Sequence, residues 1–440
     1  MSIKAKKKRH IILIILAIVF AVVAAGTLIF MTHTQIVVGM IQKLSANTVN
    51  TVNSYEPLGN PMEGVKDNGQ YIITEIKYSD NYPNSFLDIT YPDEDRGAPR
   101  PTLIYFHGGG FFGGSKNVGD PLAGSDATAL LDDICTEGFN LVNVDYVLVP
   151  EYHFPDPLIQ ANEAFRFLLE HSDKYHLDMD RVVIMGSSAG AIMTSQLGSI
   201  ITNPEYASAL GITPVLKREQ IMAVVLDDAP LVYDKFSLRT KVLVGNYVNG
   251  SIFLSHEEIQ QYNNILWVDS NYPPAVLLGS EYYLDMRDMD EALTKAGVVH
   301  ELIDPLAERN MEMQHCFVAS EASQSALIDR LCLSISAPFS LKREGNQETP
   351  DSPHSSFFMS VSGPFCIALE KNFPLASCLF KNAINFGISS NSIHLPSTDS
   401  TAAPISIRRW VRILRSSSSF LQLLLLCLIT LQFLCQLLDS

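Results

Sequence analysis

The segment Gly186-Ser187-Ser188-Ala189-Gly190 lies directly between a short apolar run, Val182 to Met185, and a stretch of helical spacing that starts at Ala189. A serine hydroxyl is a poor nucleophile unless a base takes its proton and donors stabilise the oxyanion that its attack creates. A sharp strand-to-helix turn serves both needs, because it lifts Oγ clear of the backbone and aims helix N–H groups at it. Glycines on both flanks allow that turn without a Cβ clash. Ser188 is therefore the candidate nucleophile. Upstream, His107-Gly108-Gly109-Gly110-Phe111 follows the apolar run Thr102 to Phe106. Three successive glycines present backbone N–H groups at close range, which are the donors a tetrahedral oxyanion requires.

These residues need a scaffold that brings strand ends together. Short apolar runs alternate with longer amphipathic stretches, as in a parallel sheet covered by helices. Strands are predicted at Thr102 to Phe106, Leu141 to Val144, Val182 to Met185, Met222 to Leu226, Ala275 to Leu278 and Glu301 to Ile303. Helices are predicted at Asp126 to Glu137, Leu158 to Glu170, Ala189 to Ile201, Met286 to Ala296 and Glu321 to Leu333. The result is one α/β domain over residues 44–337, with cap material near 44–70 and 234–271 outside the sheet.

The formal net charge is −16, but its distribution is uneven. Residues 1–43 hold six bases and no acid, residues 338–440 hold eight bases and six acids, and residues 44–337 keep 17 bases and 41 acids. An acidic domain repels phosphate backbones, which excludes nucleic acid as a partner. Lys4, Lys6, Lys7, Lys8 and Arg9 precede an uncharged run from Ile11 to Met31, long enough to cross a bilayer. It exceeds the apolar core of a cleavable signal peptide. The expectation is a membrane signal anchor with its basic tip in the cytoplasm and the acidic domain on the outer face, or a secreted domain if the anchor is cleaved. Residues 338–440 read as a disordered tail ending in an apolar stretch, 420–438, whose basic flank conflicts with that orientation. Seven cysteines, spread singly, give neither a C-x-x-C pair nor zinc spacing, so no metal site is expected.

Tyr105 to Phe111, then Val144-Asp145-Tyr146 with Pro150-Glu151 and Phe154-Pro155, then Gly186 to Gly190, resemble in order the motifs of the hormone-sensitive-lipase-like branch of the α/β-hydrolases. The similarity covers roughly Pro101 to Leu333. It implies an α/β-hydrolase fold, with a mostly parallel central sheet, helices on both faces and a small cap. It also implies an oxyanion hole made by the N–H groups of Gly108, Gly109 and Ala189. In family order the acid and the histidine follow the serine. Gln314-His315-Cys316-Phe317 resembles the family's His-Gly-Phe and makes His315 the expected base, with Cys316 a departure from the usual glycine.

The acid is less well marked, because Leu277 to Asp285 lacks the familiar aspartate at its usual offset. Asp285 is the expected acid, with Glu281 and Asp288 as alternatives. Asp227-Asp228 read as the structural end of an earlier strand, although a migrated acid there is conceivable. The resemblance implies a serine carboxylesterase acting on small to medium acyl esters through an acyl-enzyme, without metal or organic cofactor. Amide or peptide hydrolysis by the same triad stays open, as does a non-catalytic binding protein on this scaffold, which expects no carboxylate at His315. The oligomeric state is not set by the sequence.

Overall fold

The computed structural model describes residues 3–45, 60–116, 127–310, 312, 313, 315 and 316. The helix expected at Glu321 to Leu333 and everything expected of residues 338–440 lie outside them. The chain divides into two compact units, one of Leu28–Gly345 and one of Met1–Thr27 with Asn346–Ser440. Of the latter, the described residues form most of the helix Ile3–Thr32. Its segment Ile14–Thr32, with a mean hydropathy of 2.9, is long and apolar enough to cross a membrane.

The larger unit is built on one nine-stranded sheet: β1 Glu63–Val65, β2 Tyr71–Lys77, β3 Phe86–Tyr91, β4 Pro101–Phe106, β5 Asn140–Val144, β6 Asp178–Ser187, β7 Ile221–Asp227, β8 Ala275–Leu278 and β9 His300–Ile303. The spatial order is β1-β2-β3-β5-β4-β6-β7-β8-β9. From β5 to β9 all neighbours pair in parallel, whereas β1, β2 and β3 pair antiparallel. Parallel strands covered on both faces read as continuous apolar runs. β7, Ile-Met-Ala-Val-Val-Leu-Asp, is buried at every position.

The six predicted strands are all present. Residues 63–65, part of the expected cap, instead supply β1, and residues 71–91, for which no strand was predicted, supply β2 and β3. Their signal is weak for physical reasons. Glu75 sits at φ 57 where the β2 to β3 register shifts, and Asp88 and Thr90 are buried polar residues inside β3. Such a bulge breaks the two-residue alternation by which a strand is recognised.

The helix Ala189–Thr202 runs off the end of β6 with almost every residue buried, including Gln196, Thr194 and Ser199. Its first turn leaves no room for side chains. A Cβ on Gly190 would stand 2.0 Å from the Phe106 carbonyl oxygen, and one on Gly186 would stand 2.2 Å from the Gly190 carbonyl. The glycines thus let the end of β4, the turn and the helix touch through backbone atoms.

Candidate active site

Register brings the candidate residues to one edge. Phe106 pairs with Gly186, Ser187 with Asp227, and Asp227 with Leu278, so the loops leaving β4, β6, β7 and β8 emerge side by side. The carboxyl ends of parallel strands are where open α/β sheets place their sites. Ser188 takes φ 54 and ψ −114 between β6 and its helix, with its N–H donating to the Asp227 carbonyl at 2.8 Å. A non-glycine residue held at positive φ is strained, and Asp228 (φ 59) and Cys316 (φ 51) share that condition beside it. Below the turn, Tyr105 donates to Ser187 Oγ at 3.2 Å and Ser187 Oγ donates to Asp227 Oδ2 at 2.8 Å, which fixes the end of β6 to that of β7.

His315 Nε2 lies 2.8 Å from Ser188 Oγ, and its Nδ1 hydrogen-bonds Asp228 Oδ2. Asp228 is fully buried and is itself held in place. Its Oδ1 accepts from the N–H groups of Ser280 at 2.9 Å and Tyr282 at 2.8 Å, and Oδ2 accepts from Glu281 N–H at 3.2 Å. Burial alone pushes its pKa up. The hydrogen bond and charge of His315, with the donors at Ser280 and Tyr282, outweigh burial and hold it below the ordinary aspartate value. A carboxylate fixed on Nδ1 selects the tautomer that leaves the Nε2 lone pair facing the serine. The Tyr282 ring stands edge-on to the imidazole, with centroids 5.4 Å apart.

The structure corrects the expected acid. Asp285 is in the first turn of the helix Tyr283–Ala296, where its Oδ1 accepts from Leu231 N–H and Val232 N–H, both at 2.9 Å. It braces the loop after β7 and does not bond His315; burial pushes its pKa up to about 6. Glu281 comes nearer, with Oε2 3.7 Å from His315 Nδ1, but it is partly exposed and faces Arg239 at 3.4 Å. Asp288 pairs with Lys235. The reason is topological: β7 is the immediate neighbour of β6, so the residue after its end stands beside the serine turn. Asp228 did carry one signal, a carboxylate directly after a buried strand in the serine, acid, histidine order, but that signal did not set it apart from Asp285.

Among the described residues, the N–H groups of Gly108, Gly109 and Ala189 donate to no partner. A narrow cleft of about 30 Å³ opens over the serine, lined by Ser188, Ala189, His315, Gly110, Phe111 and apolar side chains such as Leu243. The glycine that lines it is Gly110, rather than Gly108 or Gly109. Tyr146 steadies the start of the glycine loop, stacking on His107 with centroids 4.3 Å apart and donating to the His107 carbonyl at 2.7 Å. His107 itself is buried, which lowers its pKa to about 4.

The family model described as BD-FAE matches residues 87–282. Probable carboxylesterase 3 of Arabidopsis thaliana is 27% identical over 168 residues, covering 36% of this chain and 48% of its own length. Neutral cholesterol ester hydrolase 1 of Mus musculus is 32% identical over 152 residues, covering 30% and 35%. The chain thus spans half the length or less of these curated relatives. Among solved structures, esterase B of Lactobacillus Rhamnosis (HN001) superposes with a TM-score of 0.54 at 19% identity, over 69% of this chain and 95% of that one. The chain has the α/β-hydrolase fold. Its sequence relatives include proteins named as a carboxylesterase and as a cholesterol ester hydrolase. The Ser188 turn joins a strand to a helix as a nucleophile elbow does, and Ser188, Asp228 and His315 come in serine, acid, histidine order along the chain. A binding scaffold without catalysis expects no carboxylate at His315, whereas Asp228 reaches it.

Proposed function

We propose that this α/β-hydrolase is a serine carboxylic ester hydrolase acting through an acyl-enzyme, with Ser188, His315 and Asp228 as its catalytic residues. The observation that carries this reading is the 2.8 Å contact between Ser188 Oγ and a His315 ring whose other nitrogen is held by buried Asp228. Ser188 Oγ attacks the ester carbonyl as His315 Nε2 takes its proton, and the imidazolium returns that proton to the leaving alcohol. Water, activated by the same nitrogen, then releases the acid and restores the serine. The Ala189 N–H, with those of the glycine loop at Gly108, Gly109 and Gly110, stabilises the oxyanion. The small volume of the cleft, with Phe111, Leu243 and Val244 beside the serine, supports a preference for short acyl groups.

The test is hydrolysis of p-nitrophenyl acetate, butyrate and octanoate, together with labelling by a fluorophosphonate. Wild type is expected to hydrolyse acetate or butyrate fastest and to take up one label on the Ser188 peptide. Ser188→Ala should do neither. A folded wild-type chain that neither turns over nor labels overturns the reading, and faster turnover of matched anilides would move the activity to amides.

The proposal extends to the membrane. The apolar helix segment Ile14–Thr32 supports an anchor, and the flanking lysines support an orientation with the catalytic domain on the outer face. In sealed, right-side-out vesicles, added protease is expected to remove the hydrolase domain. Protection of that domain, or its release by a carbonate wash, would sink the orientation or the anchor respectively.

A further inference from the structure

Cys316 follows the catalytic histidine directly, where the family motif has a glycine, and it is fully buried. Its Sγ lies 3.6 Å from His315 Nε2, the same atom that meets Ser188 Oγ at 2.8 Å. Donor atoms of Asp228, His315 and Cys316 fall within 4.8 Å of one another. The hydrolysis proposed above makes no use of the thiol.

The separation has a chemical meaning. Tetrahedral zinc takes sulfur at about 2.3 Å and imidazole nitrogen at about 2.0 to 2.1 Å, which places those two donors about 3.6 Å apart. His315 Nε2 and Cys316 Sγ already stand at that spacing. The outer hydrogen bond is also present. Metal-binding histidines give their second ring nitrogen to a carboxylate or carbonyl, which orients the ring and raises its basicity, and Asp228 does this at Nδ1. Ser188 Oγ is a third donor at 2.8 Å from Nε2, and both Ser188 and His315 line the cleft, from which a water would supply the fourth. Among the described residues, the charges at the ring are those of Asp228 and Glu281, with Arg239 paired to Glu281, two carboxylates to one cation, which suits a divalent ion.

We propose that His315 Nε2 and Cys316 Sγ form a binding site for a thiophilic divalent cation, represented by zinc, and that its occupancy switches the hydrolase off. On binding, the thiol loses its proton to solvent and a metal–sulfur bond forms, while the Nε2 lone pair is donated to the metal. No lone pair is then left to take the Ser188 proton. The inhibitory consequence rests on the hydrolase reading; the binding site itself does not.

The experiment titrates the purified full-length chain with zinc chloride, following p-nitrophenyl acetate hydrolysis, and in parallel with cobalt(II), following the near-ultraviolet thiolate charge-transfer band. Cys316→Gly suits the positive φ at this position and keeps the fold, and Cys316→Ser supplies a second variant. Wild type is expected to be inhibited as it binds one equivalent of zinc and to show the cobalt band. Cys316→Gly should retain basal turnover, need more than about tenfold more zinc for the same inhibition, and lose the band. Equal zinc sensitivity in wild type and both variants, or no thiolate band in wild type, overturns the site. A band that Cys316→Gly removes, in a chain that hydrolyses no ester, keeps the site and overturns the hydrolase reading. An active, zinc-insensitive chain without the band does the reverse.

Discussion

Asp228→Asn is expected to lower kcat for ester hydrolysis about ten-thousand-fold with KM little changed, whereas Asp285→Asn should stay within a few-fold of wild type. The contrast follows from which donors each carboxylate serves. Asp228 accepts from three backbone N–H groups as well as from His315. An asparagine there keeps a single acceptor oxygen, which the Ser280 and Tyr282 N–H groups claim, and turns its amide N–H₂ toward His315 Nδ1. The imidazole must then accept at Nδ1 and carry its proton on Nε2, the tautomer that cannot take the Ser188 proton. Asp285, in contrast, uses one oxygen to accept from Leu231 and Val232 N–H groups. An amide oxygen can do the same, and a site that pushes the carboxyl up to about 6 already tolerates an uncharged group. Steady-state kinetics of the two variants on one ester decide the matter, and the opposite ranking would return the acid to Asp285.

The serine turn, the glycine loop and the parallel half of the sheet were legible in the sequence because each is a local pattern: glycines at fixed offsets, and unbroken apolar runs bounded by turns. His315 was legible from the motif around it. The acid was not, because nothing local separates Asp228 from Asp285. Both are aspartates after a buried strand and before or within a helix or loop. What separates them is that β7 lies next to β6 while Asp285 is turned back toward the loop at Leu231, and pairing order is a property of the whole sheet. The antiparallel strands β1 to β3 were obscured for a different reason. Their buried faces carry Glu75 and Asp88, charged side chains whose burial makes sense only once Lys116 is placed between them.

That lysine carries the other large expected effect. Lys116 → Met should destabilise the fold by about 3 to 5 kcal/mol at pH 8 and by clearly less at pH 5. The Lys116 side chain is wholly buried, with Nζ 2.8 Å from Glu75 Oε1 and 3.6 Å from both Asp88 Oδ1 and Asp145 Oδ2. One cation thus faces three carboxylates in a place without solvent. Burial pushes Asp88 up to about 6 and Asp145 up to about 7, in spite of the pull of Lys116 on both. Carboxyls that are raised on folding bind protons more tightly in the native state than in the unfolded chain. Their contribution is therefore most favourable below about pH 4 and is lost as the pH rises through 6 and 7. Removing the cation raises both groups further, so that at pH 8 the variant must bury unpaired charge, whereas at pH 5 protons can replace it. Urea unfolding of wild type and variant at the two pH values measures this, and an equal loss at both would show that the cluster does not hold its charge as described. The consequence reaches the site as well. The Lys116 N–H donates to Asp145 Oδ1 at 2.7 Å, and Asp145 directly precedes Tyr146, the ring that supports His107 at the head of the glycine loop. The buried charges thus close that loop at its far end, and a variant that loosens them should also lose kcat, through oxyanion donors that no longer hold their positions.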